Sequence, residues 1–270
     1  MDVRHQLRLL GVKPSKDLGQ NFLTEPYVVE EIINFAGLSA TDNLLEIGPG
    51  LGVMTAELLA VAPLTVIEIE TAFAEYLGKK FPKLNVIHED VRYVDLTELG
   101  DELVVMGNLP YSFSSEIIFH LIAFSKHVKR AVLMLQKEYA QRLASPPGRK
   151  SYGALTVFTQ IKAEASLGPI FPGNCFFPPP KVDSQVIELR FNQEDRHPLK
   201  DELFFKQLVI DLFKGRRKKI SNLLKLQQEK IEFDLDKLFE DLSLSPERRP
   251  EDLAVQDFVN LANYLSDFKA

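Results

Sequence analysis

The sequence predicts an α/β fold: a largely parallel sheet with crossover helices, followed by a small all-helical domain. Three observations carry that expectation. Short aliphatic runs alternate with helix-period segments over most of the chain, strand signals end near Phe191, and only helix-period segments follow. Strands that alternate with helices imply parallel pairing through right-handed crossovers. The expected domains are residues 1–191, which include an amino-terminal arm, and residues 192–270.

Each element follows from its pattern. After the arm, residues 27–38 space Val28, Val29, Ile32, Ile33 and Ala36 as the apolar face of a helix. Strand-like runs lie at 44–47, 64–69, 84–88, 103–106 and 131–135, with helical patterns at 53–62, 72–81 and 114–124. A helix at 153–161 then precedes two successive strands, 165–170 and 185–191. That break in the alternation suits an antiparallel edge. Residues 192–198 are polar, end in Pro198 and read as a linker. Helices are expected beyond it at 203–213, 220–226, 235–242 and 253–265.

Composition sets limits on function. With 45% apolar and 26% charged residues the chain is globular rather than disordered. Its single cysteine, Cys175, excludes a disulfide framework and a cysteine-based zinc site, and points to a reducing compartment. The first residues carry charge where a signal peptide would be apolar, and the longest apolar stretch, 58–67, is broken by Pro63. A cytoplasmic protein without a membrane span is expected. A net charge of −6 argues against a generic nucleic-acid binder. Lys214, Arg216, Arg217, Lys218 and Lys219 nevertheless form a dense basic run. A local stripe can hold phosphate because screening confines each patch to about 10 Å. Composition alone favours a solvated helix face for it.

The strongest local signal is Leu44-Leu45-Glu46-Ile47-Gly48-Pro49-Gly50-Leu51-Gly52, a strand entering a glycine-rich turn that opens a helix. Such a turn lets a nucleotide approach the backbone at the carboxyl edge of an open sheet. The third glycine comes one residue too early for a dinucleotide fingerprint, and Val53 stands in its usual place. Glu46 also adds negative charge, which opposes pyrophosphate but suits a ligand with ammonium and sulfonium groups. S-adenosylmethionine therefore fits better than NAD. Glu68 ends the second strand, where an acid can accept both ribose hydroxyls, and Asp90 ends the third, placed for the adenine amine. The blander alternatives are a surface glutamate and an aspartate capping a turn.

The fourth strand ends in Gly107-Asn108-Leu109-Pro110-Tyr111. An exocyclic adenine amine is a poor nucleophile because its lone pair is delocalised into the ring. The Asn108 side-chain oxygen and a nearby backbone carbonyl could hold both amine protons and expose that lone pair. Pro110 stiffens the loop, and Tyr111 offers a face for stacking. An ordinary turn is the competing explanation.

With these residues in view, the sequence resembles the ribosomal RNA adenine dimethyltransferases, and within them the small-subunit (16S) rRNA branch. The resemblance runs through Leu18-Gly19-Gln20-Asn21-Phe22-Leu23, Glu46 to Gly52, Gly107 to Tyr111, Phe176-Phe177-Pro178-Pro179-Pro180-Lys181-Val182-Asp183-Ser184, Arg216-Arg217-Lys218 and Pro250-Glu251-Asp252-Leu253. It implies a Rossmann-like class I S-adenosylmethionine-dependent methyltransferase sheet with a helical, RNA-recognising domain. It implies that Asn21 and Leu23 join Gly48, Glu68, Asp90 and Asn108 around the cofactor. Asn108, Leu109, Pro110, Tyr111 and Phe176 would form the reaction site, Tyr111 and Phe176 sandwiching the base, although core packing is the commoner fate of a Phe. Arg216, Arg217 and Lys218 would contact RNA.

The implied reaction is dimethylation of N6 on two adjacent adenosines in a hairpin loop near the 3′ end of small-subunit rRNA, during ribosome biogenesis. The partner would be an immature small subunit and the protein a monomer, without metal. Two alternatives stay open: a large-subunit rRNA adenine N6-methyltransferase of the antibiotic-resistance type, and a nucleic-acid-binding transcription factor built on the same fold. No H-E-x-x-H, G-x-S-x-G or Walker-type loop supports metal hydrolysis, serine esterase or P-loop chemistry.

Overall fold

Five aliphatic runs pair in parallel and supply the frame of the first of the chain's two units. The computed structural model describes residues 2–15, 18–191, 197–229 and 231–268. It opens with α1 (Val3–Leu9), β1 (Phe22–Leu23), α2 (Pro26–Ala36), β2 (Asn43–Ile47), α3 (Val53–Val61), β3 (Leu64–Glu68), α4 (Thr71–Lys80) and β4 (Asn85–His88). Then come β5 (Leu103–Asn108), α5 (Ser114–Ala123), β6 (Val128–Gln136), α6 (Lys137–Leu143), α7 (Ala154–Gln160), β7 (Ala163–Phe171), β8 (Phe176–Phe177) and β9 (Ser184–Phe191). Four helices close the chain: α8 (Glu202–Lys214), α9 (Ile220–Gln228), α10 (Leu235–Asp241) and α11 (Val255–Ser266).

The chain divides into two compact units, Met1–Ala140 with Ala163–Gln193 and Gln141–Lys162 with Glu194–Ala270. In the first, a seven-stranded sheet has the order β4-β3-β2-β5-β6-β9-β7. The first five strands are parallel, and β9 runs antiparallel to both of its neighbours. Leu103, Val104, Val105 and Met106 of β5 are wholly buried, as a central parallel strand covered on both faces must be. The expected antiparallel end to the sheet is present, with β9 inside it and β7 at the edge, a spatial order opposite to the chain order. The burial patterns explain that order. Every residue of β9 except Glu188 and Arg190 is buried, whereas β7 is exposed or half-exposed between its two ends.

Two further features depart from the expected layout. The arm contains α1 and the short strand β1, which pairs antiparallel with β8 so that Phe22 lies beside Phe177 and Leu23 beside Phe176. Two-residue strands carry no alternation for a sequence reading to find. The helix expected at 153–161 is α7, and its segment belongs to the second unit. Tyr152, Val157 and Ile161 share a core with Phe205, Leu208 and Leu212 of α8 and with Phe258, Leu261 and Leu265 of α11. Their apolar faces complete each other despite the distance in sequence. The segment read as a linker lies, over residues 192–196, outside the described residues. Among the described residues no helix is long and apolar enough to cross a membrane.

Candidate cofactor and substrate site

Parallel register brings the chemistry-bearing strand ends together. Ile47 of β2 lies beside Ile67 of β3 and Gly107 of β5, and Glu68 lies beside His88 of β4. A cleft opens at this carboxyl edge, the place where open α/β sheets bind ligands. Asn21, Leu23, Gly48, Glu68, Asp90 and Asn108 all line it, as do Glu46, Leu109 and Pro110.

The glycine turn is built by backbone demand. Gly48, Gly50 and Gly52 have φ of 67°, 54° and 70°, in the left-handed region that other residues avoid. A Cβ on Gly48 would meet nothing within 4 Å, so the turn presents bare backbone to the cleft. A Cβ on Gly52 would strike Leu77 of α4 at 2.7 Å. The early third glycine thus serves close packing of the α3 N-terminus against α4.

Two buried glutamates flank this turn. Glu46 is 1% exposed and accepts a 2.6 Å hydrogen bond from the Thr55 hydroxyl on α3. Burial pushes its carboxyl up to about 8; the Thr55 bond opposes the shift and the neighbouring Glu68 charge adds to it. Glu46 is therefore not the free carboxylate at the turn that the sequence suggested, but a largely neutral acid anchoring α3. Glu68 accepts from the backbone N–H groups of Gly50 (3.0 Å) and Glu70 (2.9 Å). Burial raises its pKa, while those two bonds hold it down. Both oxygens are fixed and each keeps a lone pair for a ligand hydroxyl.

Asp90 is more engaged than expected. Its oxygens accept from the Arg92 backbone N–H and Nε at 3.0 Å and from Nη2 at 2.5 Å. The guanidinium holds the carboxyl below the ordinary aspartate range. Arg92 also lies over the Phe113 ring, 4.3 Å from its centroid. It is the one basic side chain among the described residues lining the cleft, and it is already paired. A cleft with Glu68 held by backbone N–H groups and its cation, Arg92, already paired with Asp90 disfavours pyrophosphate and fits a ligand bearing sulfonium and ammonium charge.

Around the fourth strand end the polar groups are sorted by their partners. Asn108 Nδ2 donates to the Asn21 carbonyl at 2.9 Å, and among the described residues no donor meets its Oδ1, an uncommitted acceptor. The Pro110 carbonyl accepts from the Phe113 N–H and the Ser114 hydroxyl. Among the described residues no donor meets the Leu109 carbonyl, which is therefore the second open acceptor. The arm packs on this loop: a Cβ on Gly19 would lie 2.9 Å from Ser112 Oγ.

The two aromatics of the expected base sandwich are placed differently. Neither Tyr111 nor Phe176 is a wall of the cleft. Phe176 is 3% exposed and packs in the core with Leu23, Phe171 and Cys175, so here its ring offers no open face. The Tyr111 hydroxyl is 2.7 Å from Ser184 Oγ, joining the Asn-Leu-Pro-Tyr loop to the proline-rich motif. The aromatic walls are instead Phe22 and Phe113. Phe22 stands inside the quoted Leu18–Leu23 motif but was given no role from sequence, and Arg92 and Phe113, each two residues beyond a site residue, were not singled out.

In the second unit the basic run divides. Arg216 binds Glu251 through Nε (2.9 Å) and Nη2 (2.7 Å) and the Lys150 carbonyl through Nη1. Lys214 pairs with Asp211, and Lys219 with Glu247. Arg217 and Lys218 are exposed and pair with no acid among the described residues. Of the three expected RNA contacts, Arg216 is thus tied into the fold.

The chain is similar throughout to proteins that modify ribosomal RNA. The family described as "Ribosomal RNA adenine dimethylase" matches residues 11–267. Ribosomal RNA small subunit methyltransferase A of Vibrio atlanticus is 38% identical over 266 residues, 96% of either chain. Its namesake in Aliivibrio fischeri is 38% identical over 275 residues, 98% of this chain and 97% of that one. Among solved structures, a dimethyladenosine transferase from Plasmodium falciparum superposes with a TM-score of 0.79 at 26% identity, covering 91% of this chain and 98% of that one. The 23S rRNA methyltransferase ErmE shares the fold, with a TM-score of 0.70 at 24% identity over 91% of this chain and all of that one. The sheet is that of the class I S-adenosylmethionine-dependent methyltransferases, and the chain belongs to the ribosomal RNA adenine dimethylase family.

Proposed function

We propose that this S-adenosylmethionine-dependent rRNA methyltransferase dimethylates N6 of two adjacent adenosines in a hairpin loop near the 3′ end of small-subunit rRNA, acting on an immature subunit as a monomer in the cytoplasm. The observation that carries the chemistry is the Asn108 amide. Its N–H is spent on Asn21, so its oxygen and the Leu109 carbonyl are the acceptors left for an adenine amine. Near-full-length similarity to proteins named for the small subunit supports that substrate over the large-subunit alternative. The transcription-factor alternative has no need of an ordered acceptor pair in the cleft.

When bound, S-adenosylmethionine supplies a methyl group made electrophilic by its sulfonium. Glu68 and Asp90 would hold the ribose hydroxyls and adenine of that cofactor, Gly48 would let it approach the backbone, and Asn21 and Leu23 would close over it. Asn108 Oδ1 and the Leu109 carbonyl would accept the two protons of the target amine and draw its nitrogen toward tetrahedral geometry. Both acceptors interact more strongly as that nitrogen gains positive charge, which is where preorganised dipoles lower a barrier. The released proton passes to solvent, so no general base is required. Extruding the adenine costs a few kcal/mol, less from a loop. Stacking returns about 1–3 kcal/mol per aromatic contact. Phe176 can contribute only by leaving its core packing, whereas Tyr111 is already half-exposed.

Incubation with labelled cofactor and undermethylated small subunits, followed by nucleoside analysis, tests this reading. Dimethyladenosine in small-subunit rRNA is expected. Label confined to large-subunit rRNA would transfer the assignment to the resistance type.

A further inference from the structure

Arg92 takes the acceptors that an adenine amine would need. Asp90 has roughly four lone-pair directions. Arg92 meets its oxygens with the backbone N–H, with Nε shared between both, and with Nη2. Two of these donors belong to a side chain that can move. In this same pose the guanidinium stacks on the Phe113 ring, 4.3 Å from the centroid, a contact that does not depend on Asp90, and its side chain is 28% exposed, so water can replace what it loses. The carboxylate does not depend on it for orientation. The Arg92 backbone N–H holds Asp90 Oδ1 as the cap of the short 3-10 turn Val91–Tyr93.

We infer that Arg92 is a latch on the adenine end of the cleft, competing with the cofactor's adenine amine for Asp90 and thereby setting how readily the cofactor and its demethylated product leave. The inference rests on the assignment of Asp90 to adenine made above. Arg92 acts through Asp90 and is a positioning residue. Its effect is specific to an exocyclic amine. A hypoxanthine ring presents a carbonyl at that position, which Asp90 repels and which gains nothing when the guanidinium is removed.

Calorimetric titration with S-adenosylhomocysteine and with S-inosylhomocysteine tests the latch without turnover. Arg92→Gln should bind the adenosyl ligand about tenfold more tightly, the size of one charge-assisted hydrogen bond made available. The inosyl ligand should not gain. Arg92→Lys, which keeps the charge but loses the two-point grip, should show part of that gain. Unchanged or weaker adenosyl binding in Arg92→Gln, an equal gain for both ligands, or wild-type affinity in Arg92→Lys would overturn the latch. Asp90→Asn tests the underlying assignment separately. It should weaken adenosyl binding and erase the preference over inosyl, and if it does neither, the placement of adenine at Asp90 fails whatever Arg92 does.

Discussion

The cleft of the first unit and the basic turn of the second hold their charges by opposite means. In the cleft, Glu46 and Glu68 are buried and are held by a hydroxyl and by backbone N–H groups, partners that carry no net charge. Their pKa values rise because desolvation outweighs those bonds. In the basic turn, Lys214, Arg216 and Lys219 are each matched by an acid. A group held by uncharged dipoles keeps its charge or its lone pairs for a ligand. A group held by an opposite charge has already spent them. By that criterion the ligand-directed groups are Glu68 and Asn108 in the cleft and Arg217 and Lys218 in the turn, Arg216 is committed within the fold, and Asp90 is open to a ligand only in competition with Arg92.

Removing the best-prepared group should break the comparison most visibly. Asn108→Ala is expected to lower kcat on undermethylated small subunits about a hundredfold, the cost of one preorganised transition-state partner. Binding of S-adenosylhomocysteine should fall much less; equal losses would make Asn108 a cofactor contact only. Next in size, Glu68→Gln should weaken S-adenosylhomocysteine by about tenfold or more, because hydrogen bonds to a charged acceptor contribute roughly 1.5–3 kcal/mol. Calorimetric affinity equal to wild type would remove the ribose assignment.

The basic turn offers a sharper division. Arg217→Ala with Lys218→Ala should flatten the salt dependence of RNA binding by about one to two units and leave Tm unchanged. Arg216→Ala should instead lower Tm by a few degrees, because it strands Glu251 and the Lys150 carbonyl. If Arg216 alone carried the salt slope, pairing in the fold would be no guide to ligand contact.

The last test concerns Glu46 and reads stability against pH. Its carboxyl ionises near 4.5 in the unfolded chain and at about 8 in the fold. Between those values the unfolded state binds fewer protons, so this group's contribution to stability falls as pH rises and is lowest above 8. Glu46→Gln keeps an acceptor for Thr55 and removes that ionisation. It should raise Tm relative to wild type at pH 8 and converge with it near pH 4.5. Parallel Tm profiles would show that Glu46 is already charged in the fold.

Legibility from sequence followed the range of the interactions involved. The five parallel strands and their helices were readable because aliphatic runs and 3.6-residue spacing are local patterns. Glu68 and Asn108 were readable because each ends a strand, and Asp90 because it caps the turn two residues past β4; parallel register carries these positions to one edge. Leu23 and Asn21 are held at the site by the β1–β8 pairing, a contact across more than 150 residues with a two-residue signature, and by the bond from Asn108 to the Asn21 carbonyl. Arg92 was missed because its pairing with Asp90 depends on a tight turn rather than on spacing. The placement of α7 was missed because apolar helical faces do not announce which core they join.

Residue order by itself determined the alternation of elements, the turn that only glycine tolerates at Gly48 and Gly52, and the acids waiting at consecutive strand ends. These depend on backbone sterics and on side chains a few positions apart. Tertiary structure decided which polar groups remained available. It spent the Asn108 N–H on Asn21, Asp90 on Arg92 and Arg216 on Glu251, and it drew Phe176 into the core. A lone pair or a charge is free only after every neighbour has been counted, and those neighbours are assembled by folding.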